Sequence, residues 1–156
     1  MLESEAAIMI DSKTGAVLYE KNANKQMYPA SLTKIATAIY AIEIGELDDV
    51  VTVSEKARSI EGTGVYLEEG EQVTLKKLLQ GLLINSGNDA GIAIAEHLSG
   101  SVQQFSSDIN IYLKIVIGVN NINFENPHGL FGPEHVTTPE DLAKITQYAI
   151  RNETFR

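Results

Sequence analysis

The most informative stretch of this chain is residues 67–90, which read LEEGEQVTLKKLLQGLLINSGNDA. Thr74 stands where a helix N-cap is expected, and the leucines after it keep the spacing of an amphipathic helix, at Leu75, Leu78, Leu79, Leu82 and Leu83. A second apolar helix is predicted from Ala90 to Leu98, stopping at Ser99-Gly100. Ser86-Gly87-Asn88 is therefore predicted to form a tight helix-to-helix loop that presents a hydroxyl and a carboxamide side by side.

Another apolar helix is predicted upstream. Residues 32–44 are apolar on nearly every face and are closed by Gly45, which is typical of a buried helix. Ser31 would lie at its N-terminus, where free backbone N–H groups and the helix dipole favour developing negative charge. Lys34, three residues on, falls on the same helix face as Ser31.

These residue types suit nucleophilic catalysis by serine. A serine hydroxyl is a poor nucleophile at neutral pH, so it needs a nearby base, a proton relay and donors for the oxyanion. A lysine in an apolar helix environment has a lowered pKa because burial disfavours its charge, and its neutral amine can then act as the base. Ser86 can pass a proton to a leaving group, and Asn88 can hold both the lysine and a substrate amide.

Each motif also has an ordinary structural interpretation. Ser31 would then be only a helix N-cap and Lys34 a solvated lysine of the first turn. The Ser86-Gly87-Asn88 loop would be a polar turn without chemistry. Taken alone, the residues leave both interpretations open.

Read together, several stretches resemble the serine D-alanyl-D-alanine carboxypeptidases, the low-molecular-mass penicillin-binding proteins. The stretches are AAIMID (6–11), GAVLYE (15–20), PASLTK (29–34), residues 67–90, NPHGL (126–130), HVTT (135–138) and DLA (141–143). The resemblance covers nearly the whole chain. It implies that Ser31 is the acylated nucleophile, Lys34 the general base, Ser86 the proton relay, and Asn88 a ligand of Lys34 and the peptide substrate.

The resemblance also implies a third motif, Lys-Thr-Gly, on a sheet strand that follows the Ser-x-Asn. In the family it binds the terminal carboxylate of the substrate and helps to complete the oxyanion hole. No such triplet follows Asn88. The triplet Lys13-Thr14-Gly15 precedes Ser31 and lies between two short alternating apolar runs, so we predict that it is the turn of a β-hairpin.

Residues 106–121 depart from the family pattern in another way. The family usually has a helix here that is rich in Met, Asn, Lys and Ala, whereas residues 111–119 are crowded with β-branched side chains that helices tolerate less well. Asn110 and Gly118 suggest the family's register with one residue inserted.

The predicted fold is α+β and β-lactamase/transpeptidase-like, with residues 1–156 forming part of that domain. It comprises an N-terminal hairpin and a helical body, whose last helix begins with cap Thr138 and first-turn Pro139. Against the family the chain is expected to be C-terminally truncated and to lack the later sheet strands. The hairpin would then have an unpaired edge, which invites self-association.

Composition excludes several classes of function. The net charge of −9, without a basic run, argues against binding nucleic acid or an anionic membrane. The chain contains 0 cysteines, and His97, His128 and His135 form no zinc motif, so we expect structural histidines, no metal and no cofactor. The N-terminus does not read as a signal peptide and no segment is long enough to span a bilayer. Placement at the cell envelope, outside the cytoplasm, follows from family analogy alone.

The leading functional hypothesis is a D-Ala-D-Ala carboxypeptidase that shortens peptidoglycan stem peptides through an acyl-enzyme and that β-lactams acylate covalently. Loss of the third motif supports one alternative, a non-catalytic fragment that binds envelope peptides or a partner chain. A β-lactamase is the second alternative, although those enzymes typically carry Ser-Asp-Asn where this chain has Gly87 in the middle position.

Overall fold

The computed structural model describes residues 2–156 and shows the predicted α+β architecture. The strands are β1 (Ala7–Ile10), β2 (Val17–Lys21), β3 (Val50–Thr52) and β4 (Gln72–Thr74). The helices are α1 (Thr33–Ile44), α2 (Glu55–Arg58), α3 (Leu75–Ile84), α4 (Asn88–Ser99), α5 (Val102–Tyr112) and α6 (Pro139–Ile150). A short 3₁₀ turn (Ala30–Leu32) precedes α1, and a π-helical turn (Leu113–Ile117) follows α5. In this part of the chain the strands form two separate antiparallel pairs, β1 with β2 and β3 with β4.

The turn between β1 and β2 contains the Lys13-Thr14-Gly15 triplet, as predicted. The Asp11 carboxylate accepts hydrogen bonds from the backbone N–H groups of Lys13 and Thr14 and from the Thr14 hydroxyl. Gly15 has a φ of +76°, a conformation that favours glycine. The turn packs against α6, where the Gln147 amide donates to the Ser12 carbonyl. The triplet therefore belongs to the hairpin.

The helices enclose two apolar cores that meet at α1. One core lies between α1, α3 and α4 and includes Ala38, Ala41, Leu75, Leu78, Leu82, Ile92 and Ile94. The other lies between α1, α4, α5 and α6 and includes Ala36, Tyr40, Ala95, Phe105, Ile109, Phe124 and Ile145. Helix α1 therefore packs against both cores.

The helix ends follow the capping signals of the sequence. The Thr74 hydroxyl accepts from the Lys77 N–H, and the Thr138 hydroxyl accepts from the Asp141 N–H. Helix α4 ends at Gly100 with a φ of +84°. Its start differs from the prediction, because the helix begins at Asn88 and not at Ala90, so Asn88 lies in its first turn.

The irregular segment is helical, although its β-branched residues indicated otherwise. Helix α5 continues into the π-helical turn, which ends at Gly118 with a φ of +86° and an N–H that donates to the carbonyl of Leu113, five residues back. A π-helical turn takes up an extra residue without ending the helix, which fits the predicted insertion. Leu113 and Val119 are fully buried, whereas Ile115 and Val116 are exposed, so only some of the branched side chains enter the core.

Candidate active site

Ser31 lies in the 3₁₀ turn that leads directly into α1. Ala30, the residue before it, has a φ of +50°, which is uncommon for a residue other than glycine. A backbone held in such a conformation requires support from its surroundings. The turn places Ser31 at the positive end of α1, as the sequence predicted.

The amine of Lys34 is the centre of the site. Its Nζ lies 2.8 Å from the Ser86 hydroxyl, 2.9 Å from the Ser86 carbonyl and 2.8 Å from the Asn88 side-chain oxygen. The Ser31 hydroxyl is 3.4 Å from the same nitrogen. All four residues expected from the sequence therefore meet at one point, where the start of α1 faces the loop between α3 and α4.

Burial controls the ionisation of Lys34. The residue is only 3% exposed, and the three oxygens closest to its amine belong to a hydroxyl, a carbonyl and a carboxamide, none of which is charged. Desolvation lowers the pKa of Lys34 below that of an ordinary lysine. A larger fraction of the amine is therefore neutral at a given pH and can accept a proton from Ser31.

The loop between α3 and α4 is tightly constrained. Ser86 has a φ of +54°, and the Gly87 N–H donates to the Gly81 carbonyl at 3.0 Å. A methyl group added at Gly87 would approach that carbonyl oxygen to 3.2 Å, closer than most such contacts. Gly87 therefore lets the loop turn sharply enough to point both the hydroxyl and the carbonyl of Ser86 at Lys34.

The orientation of Asn88 follows from its hydrogen bonds. Its side-chain Nδ2 donates to the Glu61 carbonyl at 2.8 Å, which leaves Oδ1 facing the amine of Lys34. Its backbone N–H donates to the Thr63 carbonyl. The glycine loop around Gly62 thus borders the cleft.

Asp89 is a structural part of the site that the sequence analysis did not single out. Its buried carboxylate accepts from the backbone N–H groups of Val65, Leu67 and Ala90. It therefore fixes residues 65–67 against the start of α4. In the sequence Asp89 looks like an ordinary first-turn acidic residue, and only its position directly after Asn88 hinted at more.

The 125–135 loop packs under the nucleophile. A methyl group added at Gly129, whose φ is +91°, would lie 1.8 Å from the Ala30 carbonyl oxygen, so only glycine fits there. His128 and His135 are buried in this loop, and their Nδ1 atoms accept from the backbone N–H groups of Leu130 and Glu125 respectively. These contacts give both histidines a structural role in the loop, as expected.

Burial lowers the pKa of both loop histidines to about 4, and the nearby charge of Lys34 adds to the effect on His128. They are therefore neutral at physiological pH. His97 lies apart, where it contacts Asp49 at the end of α4. Among residues 2–156, no three histidine or carboxylate side chains come together as a metal site would require.

An apolar groove of about 610 Å³ borders the site on the side of the hairpin. It lies between β1, the start of α1 and α6, and its lining includes Ile8, Ile10, Leu32, Ile35, Leu142 and Ile150. Backbone hydrogen bonds of β1 to another strand are present on the β2 side only, among the residues that the structure describes. The groove therefore runs along an open sheet edge.

A hydroxyl beside a buried amine, with a second hydroxyl and a carboxamide on that amine, is the arrangement of a serine–lysine acyl-transfer site. Comparison with known proteins identifies the family. The family model described as D-alanyl-D-alanine carboxypeptidase matches residues 1–155, and the chain therefore belongs to that family.

Individual relatives agree with this assignment. The D-alanyl-D-alanine carboxypeptidase DacF of Bacillus subtilis is 38% identical over 97% of this chain and 40% of its own length. The crystal structure of the D-alanyl-D-alanine carboxypeptidase DacD from Francisella tularensis has a TM-score of 0.91 and 37% identity, over 99% of this chain and 39% of that one. A mutant of the Streptomyces K15 DD-transpeptidase has a TM-score of 0.94 and 28% identity, over 100% of this chain and 64% of that one. The chain thus spans about 40% of the length of the first curated relatives it matches.

Proposed function

We propose that this chain carries the nucleophile half of a serine D-Ala-D-Ala carboxypeptidase site, which acts on peptidoglycan stem peptides. The observation that carries the proposal is the position of the Lys34 amine, within 2.9 Å of Ser86 and Asn88 and 3.4 Å from the Ser31 hydroxyl. The relatives named as D-alanyl-D-alanine carboxypeptidases support the choice of substrate.

In the proposed acylation step, the neutral amine of Lys34 takes the proton of Ser31 as Oγ attacks the carbonyl carbon between the two D-alanines. A lysine ammonium has three hydrogens, and the three oxygens of Ser86 and Asn88 match them. Ser86, 2.8 Å from the amine, then passes that proton to the departing D-alanine nitrogen as the C–N bond breaks. The Asn88 side chain is placed to hold the peptide backbone as well as Lys34.

In the proposed deacylation step, water attacks the ester and its proton returns to Ser31 through Lys34. The products are the shortened peptide and the free enzyme. A β-lactam would acylate Ser31 by the same route, with its ring nitrogen as the leaving group. The start of α1 favours the negative charge that develops on the attacked carbonyl oxygen.

We further propose that a polypeptide of these 156 residues alone turns over slowly. The Lys-Thr-Gly at residues 13–15 packs against α6 and is engaged in the hairpin turn, and no other such triplet is present. Removal of one oxyanion donor from a serine hydrolase costs about 10²–10³ in rate, and weaker carboxylate recognition adds to that loss.

D-alanine release from a peptide that ends in D-Ala-D-Ala tests this function. We expect a low rate in the wild-type chain that disappears in Ser31→Ala and in Lys34→Ala, with circular dichroism showing that both variants fold. Equal rates in the wild type and Ser31→Ala, together with retained peptide binding, would instead favour the non-catalytic fragment, which the missing third motif supports.

We also propose, by the same family analogy, that the parent activity lies at the cell envelope. Among residues 2–156, the longest apolar helices are too short to cross a bilayer. We also propose that two copies of this chain associate through the open edge of β1, because a strand edge without a partner beside an apolar groove is a surface that another strand can cover.

A further inference from the structure

A buried polar pair lies directly behind the nucleophile. Thr33, the first residue of α1, is 0% exposed, and its hydroxyl lies 2.8 Å from Nε2 of His135, which is 1% exposed. A buried polar pair costs desolvation energy on both sides, so it requires a hydrogen bond to be tolerated. Thr33 stands between Ser31 and Lys34 in the sequence, which makes the position of this pair relevant to the site.

The direction of this hydrogen bond is fixed by the surroundings of His135. Its Nδ1 accepts from the backbone N–H of Glu125 at 2.9 Å, so Nδ1 carries no proton. The proton of the neutral ring is therefore on Nε2, which donates to the Thr33 hydroxyl. The ring also stacks on Phe124, with centroids 4.9 Å apart and planes 18° from parallel. His135 is thus a rigid donor with one orientation.

The first turn of α1 is consequently held by contacts on two different sides. Thr33 is bound to His135 on one side, and Lys34 is bound to Ser86 and Asn88 on the other. Neighbouring helical residues point about 100° apart, so a rotation of the turn that releases one contact also displaces the other. Such a rotation would also change the separation between the Ser31 hydroxyl and the Lys34 amine, which is 3.4 Å.

We propose that Thr33 and His135 are positioning residues for the acyl-transfer site, and that their hydrogen bond holds the first turn of α1 so that the Lys34 amine stays between Ser31, Ser86 and Asn88. This inference rests on the proposed function. It gives the third residue of Ser31-Leu32-Thr33-Lys34 a structural role, distinct from the proton transfer proposed for Ser31 and Lys34.

Thr37 provides a matched control, one helical turn further on. Its hydroxyl donates to the Pro127 carbonyl at 2.8 Å, and the residue is also 0% exposed. Replacement of either threonine by valine removes one buried hydrogen bond to the same loop and keeps the shape of the side chain. Only Thr33 lies in the turn that holds Ser31 and Lys34, so the two variants separate positioning from general stabilisation.

The test compares wild type, Thr33→Val, Thr33→Ser and Thr37→Val. The pKa of Lys34 is read from the pH dependence of its ¹³Cε resonance in lysine-labelled protein, assigned with Lys34→Ala. Acylation by a fluorescent penicillin is measured in parallel. We expect Thr33→Val to move the pKa of Lys34 upward toward its ordinary value and to slow acylation by about tenfold or more, because small displacements of reacting groups are costly. Thr33→Ser, which keeps the hydroxyl, should retain both properties.

Thr37→Val should lose stability to urea without changing either readout. Should Thr33→Val fail to fold, His135→Asn removes the donor to Thr33 while its side-chain oxygen can replace Nδ1, and the same changes are expected. Equal effects of Thr33→Val and Thr37→Val, or an unchanged Lys34 titration in Thr33→Val and His135→Asn, would overturn the proposal. A wild-type chain that is never acylated would count against the proposed function, whereas the Lys34 titration would still decide the positioning role.

Discussion

At the scale of single residues, the ionisation of Lys34 depends on the absence of a carboxylate among the oxygens closest to its amine. A lysine paired with a carboxylate keeps its charge, whereas the oxygens nearest to Lys34 come from a hydroxyl, a carbonyl and a carboxamide. The hydroxyl can accept from the amine or donate to its neutral form, and the carbonyl and carboxamide oxygens accept from either form. Burial then lowers the pKa, and the amine can cycle between its neutral and protonated forms during acyl transfer.

The two loop histidines predict a pH dependence of stability. Burial lowers the pKa of His128 and His135 from 6.5 to about 4. Between these two pH values both side chains are protonated in the unfolded chain and neutral in the folded chain. Their contribution to stability is complete above pH 6.5 and is lost as the pH falls toward 4. Between pH 7 and pH 5 we expect the free energy of unfolding in urea to drop by about 2 kcal/mol for each histidine.

Measurement at pH 7 and pH 5 keeps most carboxylates ionised, because their usual pKa values are about 4. His135→Asn removes one of the two titrating rings, so its loss of stability over this interval should be roughly half that of the wild type. An identical pH dependence in the two proteins would refute this explanation.

The residues that the sequence identified are those whose types are unusual for their surroundings. A lysine within an apolar helix and a Ser-Gly-Asn between two helices could be found from pattern alone, and the structure brings Ser31, Lys34, Ser86 and Asn88 together. Asp89 and Thr33 were missed because their types are common at helix starts. Their tasks depend on backbone segments distant in sequence, which no local pattern encodes.

At the scale of elements, the contact between the 125–135 loop and the turn before α1 makes Gly129 essential. A Gly129→Ala methyl group would overlap the Ala30 carbonyl oxygen, which immediately precedes Ser31. We expect this variant to be destabilised and to lose acylation by penicillin. The comparison is Gly118→Ala, whose φ of +86° is close to the +91° of Gly129 but which has nothing within 4 Å of the added methyl group.

Both variants carry the cost of a left-handed backbone, roughly 1 kcal/mol. Their difference in unfolding free energy therefore measures the overlap with the turn before Ser31. If Gly118→Ala proved as damaging to acylation as Gly129→Ala, the close packing of this loop on the nucleophile would be disproved.

Apart from the start of α4, helix starts and turns were predicted well because their signals are local. Caps Thr74 and Thr138 and the Lys13-Thr14-Gly15 turn lie where the sequence put them. The segment after Tyr112 was harder, since the branched residues disfavour a helix, whereas the segment forms a π-helical turn with Leu113 buried. Tertiary packing therefore outweighed the low helix propensity of the branched residues.

At the scale of the whole molecule, the open edge of β1 predicts self-association. Met9, in the middle of this strand, is 57% exposed, and a charged side chain on an edge strand disfavours pairing with another chain. We expect the wild-type mass measured by light scattering during gel filtration to rise with concentration, and Met9→Lys to reduce that rise. Ile115→Lys, at an equally apolar residue that is 77% exposed on the π-helical turn, should behave as the wild type does. A monomer at every concentration would contradict the proposed association.

The overall architecture could be inferred because the motifs are spread over nearly the whole chain and each fixes one junction between elements. The likeness to solved structures of the family confirms that inference. The groove between β1, α1 and α6 could not be foreseen, since it arises from elements far apart in the sequence. Its position beside Leu32 connects the open sheet edge to the turn that holds Ser31.

The most direct test of the proposed site is the intact mass of the chain after incubation with a penicillin, followed by peptide mapping of the adduct. We expect a slowly formed adduct of one penicillin on Ser31, which is absent in Ser31→Ala and strongly reduced in Lys34→Ala. A folded wild-type chain without any adduct, or with an adduct on a residue other than Ser31, would contradict the claim that Lys34 activates Ser31 for acyl transfer.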